Sequence, residues 1–432
     1  MDVKSMRNPG RAGKRDMVIY DEPGWNSFTY NFPVWGGIRR NDDGSVVIRF
    51  DSADASCIND DFYFEHHRQI VMQSGDGGST WKRIDPDWQY YMPLELSDGT
   101  LVEVVENTRM MTRPEQKARL DALGIGHVWR DDCELSWQLW PESMAEEMRR
   151  RGVRVWDRAV PPYGDSLGQR WLPEGVVAIN IPEALIGRIS RDGGGTWEQR
   201  TVLPFDERYL HFGAGFAGSV VLADDTILVP FYAMTRQERT SEPENAGCNH
   251  VHLLRSDDRG RSYALARLDE TAGPGVDLNE TFFVEHPSGN VVALSRSDFI
   301  HCSVSEDRGK SWSTPVSTGI PSNAPHHAIC LRSGVILCFY ARRKPPGGIR
   351  CTLSYDGGRS WDVENELIVR DDSPVSDFIG GPGAIQLDDD RIFVFYNLVR
   401  NEPGDPPKRP HCYIAGSVFD EQWLRSGSSW KT

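Results

Sequence analysis

A pattern of eight residues recurs five times along the chain, starting at Ser74, Ser190, Ser256, Ser305 and Ser354. Each copy reads Ser-x-Asp-x-Gly-x-Ser/Thr-aromatic and closes on Trp81, Trp197, Tyr263, Trp312 or Trp361. This is the chemistry of a tight hairpin turn. The aspartate accepts bonds from nearby backbone N–H groups, the glycine admits φ > 0, and the aromatic ring packs beneath. Five copies in register predict a repeat architecture.

A second signal interleaves with the first. Apolar runs are broken by two-residue polar turns at Asp43-Gly44, Asp98-Gly99, Asp224-Asp225, Ser288-Gly289, Ser333-Gly334 and Asp389-Asp390. These read as six hairpins. Successive pattern aspartates at 258, 307 and 356 are 49 residues apart. A hairpin followed by a boxed hairpin, with a period near fifty residues, is one four-stranded propeller blade. Six units predict an all-β, six-bladed β-propeller, with blades over 34–81, 92–197, 212–263, 280–312, 325–361 and 380–419. The sixth has no box, and Met17-Val-Ile-Tyr20 is placed there to close the ring. Residues 1–16 read as a disordered tail and 17–432 as one propeller domain.

The second blade is interrupted over about 107–173. Two short helices are expected there, one from Pro114 ending at Gly124 and one from Ser143 ending at Gly152. Five tryptophans (129, 137, 140, 156 and 171) accompany them. A mainly helical insertion of this composition is either self-packed or a lid or subunit contact, so a homo-oligomer built through it is one expectation.

Composition narrows the partners. A net charge of −15 repels a phosphate backbone, so nucleic acid is not expected. No apolar run is long enough to cross a membrane. The N-terminal stretch is basic without an apolar core, unlike a secretory signal. Eight scattered cysteines without a Cys-x-x-Cys pair read as buried free thiols, and a cytoplasmic location is expected.

In such a blade the 1–2 and 3–4 turns share one face. The segments before each first strand and the 2–3 connections converge on the axis at the other face, where a site should form. The residues brought there are unusually polar. Tyr209, His211, Asn279-Glu280, His326-His327 and Asp377 precede first strands. Asp60-Asp61, His250, Arg296, Tyr340, Arg342, Arg343 and Arg350 lie in or beside 2–3 loops. Glu280 and Arg296 enter and leave the same blade, so they should be neighbours. A glutamate beside arginine is expected to stay ionised and to act as a base or to orient a nucleophile. One of Arg342, Arg343 and Arg350 should reach the axis, where guanidinium suits a carboxylate. The histidines are candidate bases, but they lack close ligand spacing, so neither metal nor cofactor is expected.

The boxes and the six-unit count resemble the Asp-box, or BNR, repeat of the sialidase superfamily along nearly the whole chain. The Asn279-Glu280…Arg296 unit is similar to that family's site glutamate and second arginine. The resemblance places a third arginine among 342, 343 and 350, and an acid/base aspartate at Asp60 or Asp61. Two positions depart from it. Tyr30-Asn31-Phe32-Pro33 stands where the family carries Tyr-Arg-Ile-Pro, and Asp377-Phe-Ile-Gly380-Gly381 where it carries a nucleophilic tyrosine.

The resemblance therefore implies an exo-acting glycoside hydrolase for an acidic or deoxy sugar terminus of a glycan. Arg296, Arg350 and Arg342 would bind substrate with Tyr340, His326, His327 and Tyr209, while Glu280, Asp377, Asp60 and His211 would supply acid and base. A polysaccharide lyase using His211, His326 or Tyr340 against a uronate is the alternative, and a non-catalytic glycan-binding propeller the third reading.

Overall fold

The computed structural model describes residues 13–29, 37–54, 67–84, 93–108, 111–112, 134–135, 137–150, 154–156, 175–180, 182–204, 209–214, 218–235, 248–270, 275–321, 324–345, 347–374, 379–400 and 411–427, with isolated positions at 115, 118, 121–122 and 272. Six antiparallel sheets follow one another around the ring in chain order. From inner to outer strand, blade 4 runs Asn279–Glu285, Val291–Arg296, Phe299–Ser305 and Val316–Pro321. Blade 5 repeats this with His326–Cys330, Ile336–Arg342, Gly348–Ser354 and Leu367–Arg370. In blade 1 the inner position is shared by Trp25–Phe28 and Ile38–Arg40, both paired with Val46–Asp54. That blade thus begins ahead of the expected residue 34.

The ring closes where the sequence placed the closure. Lys14–Tyr20 is the outermost strand of blade 6 and pairs with His411–Phe419. Lys14, Arg15 and Asp16 therefore belong to the sheet and not to a tail. Lys14 Nζ reaches the Val369 carbonyl of blade 5 at 2.8 Å, which fixes the strand's first residue. The helix Glu421–Gly427 then seats Trp423 and Leu424 in the apolar cluster between blades 5 and 6.

All five boxes make the same bonds. In the first, Thr80 N–H and Oγ1 donate to Asp76 at 2.8 and 2.7 Å, and Gly78 N–H donates to Ser74 Oγ at 2.9 Å. Later boxes add a latch to the preceding blade. Arg259 reaches Asp98 at 2.6 Å, Arg308 pairs with Asp224, and Arg359 reaches Glu306 at 3.0 Å. These bonds hold the aspartates low, at about 2 for Asp76, Asp192 and Asp307, the backbone and hydroxyl groups of the Ser or Thr four residues on being the main bonding partners. A depressed folded value means that the stabilisation is complete above the unfolded value of about 4 and is lost as pH falls through about 2. The melting temperature should accordingly drop between those pH values, and less steeply in Asp307→Ala. An acid limb of unchanged slope in that variant would remove the boxes as its cause.

Blade-to-blade packing follows strand alternation. In blade 5, Ile336, Cys338 and Tyr340 face blade 4, while Leu337 and Phe339 face blade 6. Apolar clusters fill five of the six blade interfaces among the described residues. Blades 1 and 2 meet differently. Arg49, wholly buried, projects toward Glu103, which is paired with Arg188 at 2.5 Å. Burial pushes the Glu103 carboxyl up to about 7 against the pull of both guanidinium groups.

The insertion is of mixed structure, not mainly helical, among the described residues. One helix, Ala145–Arg150, follows a single 3-10 turn near the expected Ser143 start. Beside it lies a three-stranded sheet of Trp137–Pro141, Val176–Asn180 and Arg154–Trp156. Short β-branched and aromatic runs favour strands here. Ala145, Met148 and Val177 form its small core with Trp140 against them. Most of the expected first helix, with Trp129 and Trp171, falls outside the described residues. Six cysteines are free thiols among the described residues, four of them buried. No helix among these residues is long and apolar enough to cross a membrane.

Candidate functional site

Blade 4 delivers the acidic residue of the candidate site. Asn279 pairs across the sheet with Arg296, and the register then slips before Phe282. The slip turns Glu280 out of the regular pleat. Its side chain is buried, 7 % exposed, and Arg296 Nη1 donates to Glu280 Oε2 at 2.6 Å.

Glu280 is also held at φ +43°. Among the described residues four other non-glycine residues have positive φ, namely Asp225, Arg259, Arg308 and Asp390, and every one occupies a repeat turn position. Elsewhere those turn positions are filled by Gly44, Gly99, Gly289 and Gly334, or by Gly77, Gly193 and Gly357 in the boxes. Glu280 has no such turn to explain it. A strained backbone at a charged residue beside the axis is the pattern of a functional site.

The electrostatics correct the expectation of a plainly ionised base. Burial raises the Glu280 carboxyl above its ordinary range. Arg296 and Arg343 pull it back, while Asp277 adds to the rise. Arg343 is thus the blade-5 arginine that faces Glu280. Its Nε donates to the Ile379 carbonyl at 2.9 Å, at the entry to blade 6. Gly380 makes room for it, since a Cβ there would lie 3.1 Å from Arg343 Nη2. At Gly381, φ +55°, a Cβ would meet Thr29 Oγ1 at 2.2 Å. Thr29 in turn donates to the Gly380 carbonyl at 2.8 Å and so pins blade 1 to blade 6.

Other candidates are placed elsewhere. Arg350 is wholly buried, not at the mouth, because it donates to the carbonyls of Gly347 and Arg370 at 2.9 and 2.7 Å and lies 3.3 Å from Glu366. Tyr340, also wholly buried, donates to Glu366, and Arg342 reaches the same carboxylate at 3.4 Å. Glu366 is the hub of an internal network that the sequence reading overlooked. His326 is buried with Nε2 on the Leu294 carbonyl at 3.0 Å. His327 accepts from Ala384 N–H at 3.3 Å. Burial lowers the two imidazoles to about 3 and about 4, so both are neutral near pH 7.

Tyr209 and His211 lie in the innermost strand of blade 3, their backbones opposite Thr235 and Met234. Asp60 and Asp377 fall outside the described residues. No cluster of metal-ligating side chains occurs among the described residues. Asp277 and Asn249 were missed because neither carries a motif. Their significance appears only when the end of one blade meets the start of the next.

A model of the BNR repeat-like domain matches residues 170–374. Over that stretch the chain is similar to a BNR repeat-like domain. Solved structures of similar fold match most of the chain. A protein of unknown function from Dyadobacter fermentans is 22% identical with a TM-score of 0.59, covering 94% of this chain and 99% of that one. The intramolecular trans-sialidase of Ruminococcus gnavus is 15% identical with a TM-score of 0.53, covering 90% and 94%. The NanB sialidase of Streptococcus pneumoniae is 11% identical with a TM-score of 0.54, covering 94% and 71%. At these identities the likeness is one of fold. No curated protein matches the chain.

Proposed function

We propose that this BNR-repeat propeller is a sialidase-like glycoside hydrolase that removes an acidic sugar from the end of a glycan. The observation that carries this reading is the buried, positive-φ Glu280 clamped by Arg296 with Arg343 facing it. A guanidinium suits a sugar carboxylate bidentately, so an arginine-lined carboxyl of this kind fits an acidic sugar. Glu280 then faces the anomeric centre. The glycosidic C–O bond breaks, and the leaving oxygen takes a proton from one carboxylic acid. Water adds its hydroxyl to the anomeric carbon while its proton passes to the other carboxylate. Asp60 and Asp377 are the sequence's candidates for the second group, and their separation from Glu280 decides between retention and inversion.

A lyase reading has less support. The His326 ring is buried with Nε2 engaged on a carbonyl, and the His327 lone pair at Nδ1 accepts a backbone N–H.

Incubation with a panel of oligosaccharides ending in uronates or ulosonates, followed by mass and ultraviolet absorbance, separates the readings. A released saturated sugar bearing one added water supports hydrolysis. Absorbance from a new C=C bond without added water would overturn it in favour of a lyase. Binding without turnover across the panel would leave a glycan receptor.

A further inference from the structure

The strain at Glu280 is held from the neighbouring blade. Asn249, which directly precedes the third strand of blade 3 (His250–Ser256), makes three bonds to the segment just ahead of Glu280. Its backbone N–H and side-chain amide donate to Asp277 Oδ1 at 2.5 and 2.8 Å. Its carbonyl accepts from Leu278 N–H at 3.2 Å. Asn249 is itself fixed through the next residue in the chain. His250 is buried with Nδ1 3.2 Å from Asp269 and 2.7 Å from Arg267 Nη2, and Arg267 Nε donates to Asp269 at 2.8 Å. Asp269 is wholly buried. A rigid ionic anchor thus ends in an asparagine that grips residues 277 and 278, two residues before the left-handed turn of the backbone.

Leu278 is fully buried and fixes the same segment from below. Left to itself, a glutamate relaxes to negative φ, since the left-handed region is strained for a residue with a Cβ. Something must therefore over-determine it. We propose that Asp277 is the positioning residue for Glu280: by accepting both Asn249 donors it fixes the backbone that aims Glu280 at Arg296. Among the described residues, the charged groups bearing on Glu280 are Arg296 from the adjacent strand, Arg343 from blade 5 and Asp277 from its own segment. The histidines of blade 5, His326 and His327, pack on Phe282 beside it.

This inference rests on reading Glu280 as the reacting carboxyl, yet it can be tested without a substrate. The test is a 13C titration of the glutamate carboxyls in the full chain, with the Glu280 signal assigned by its loss in Glu280→Gln. Asp277→Asn keeps an acceptor oxygen for Asn249 and removes one negative neighbour. The Glu280 midpoint should then move down with the protein's fold intact. Asp277→Ala and Asn249→Ala break the same contact, so each should displace the Glu280 resonance, and the double variant should add nothing to either. A Glu280 signal that ignores all three variants overturns the proposal, as does full additivity in the double. Should Asp277→Ala fail to fold, the other two variants still decide.

With a substrate in hand, Asp277→Ala should lose about 10–100-fold in kcat with KM within about threefold, as expected for a misplaced group. Inactivity of the wild type toward every substrate would sink the hydrolase reading and leave the positioning result standing.

Discussion

Glu280→Gln is expected to lower kcat/KM about 10²–10⁴-fold on whatever acidic glycan the wild type cleaves, the usual contribution of a positioned acid or base. The amide is isosteric and keeps an oxygen for Arg296 Nη1, which sits 2.6 Å from the wild-type carboxylate. Substrate binding should therefore change little, and the loss should fall on kcat. The control is Arg296→Ala, which removes a guanidinium from the clamp and should raise KM. It also frees Glu280 of the partner that draws its carboxyl down, so the remaining activity should shift to higher pH. Steady-state kinetics of both variants across pH reads these effects. A Gln variant within threefold of wild type would remove Glu280 from the chemistry, whatever else the propeller does.

The largest effect on stability is expected far from that mouth, where blades 1 and 2 meet. Glu103→Leu leaves the wholly buried Arg49 and the partly buried Arg188 without the carboxyl that faces them, and breaking a buried pair in this way costs about 3–5 kcal/mol. Urea unfolding followed by tryptophan fluorescence measures it. Replacing all three residues with apolar side chains of similar volume should return most of the loss, because the desolvation of three charged groups disappears with them. A single Leu variant within 1 kcal/mol of wild type would mean that water reaches the cluster and that the interface is held by other contacts.

The repeat was legible because its determinants are local. A box needs only eight residues to satisfy its own turn, so five boxes announce five outer hairpins without help from the rest of the chain. The inner hairpins follow from alternation and two-residue turns, and the Glu280–Arg296 pair follows from knowing which strand ends share a blade. What failed was local pattern asked to decide a long-range matter. Arg343 and Arg350 are both plausible clamps by position, but Gly348 at φ +123° redirects the chain between them. The carbonyls and the Glu366 carboxylate that occupy Arg350 come partly from beyond the box. In the insertion, the Trp137–Pro141 and Val176–Asn180 runs lie about forty residues apart, and only their pairing makes them strands.

The same strand that completes blade 6 also gives the ring a direction in which it is weak. Lys14 lies opposite Phe419 and Tyr20 opposite Ile414, so the outer ends of the two closing strands emerge side by side. A tension that draws residues 14 and 419 apart meets the backbone bonds of this pair singly, as a zip is opened, and never loads them together in shear. The other blade strands follow their neighbours along the chain, in blade 2 across the insertion, and so are not opened from two distant parts of the sequence. Under load the ring should give first here, through a short extension at low force, and a single-molecule pulling trace whose first event is instead a whole-blade rupture would count against this mechanical weak point.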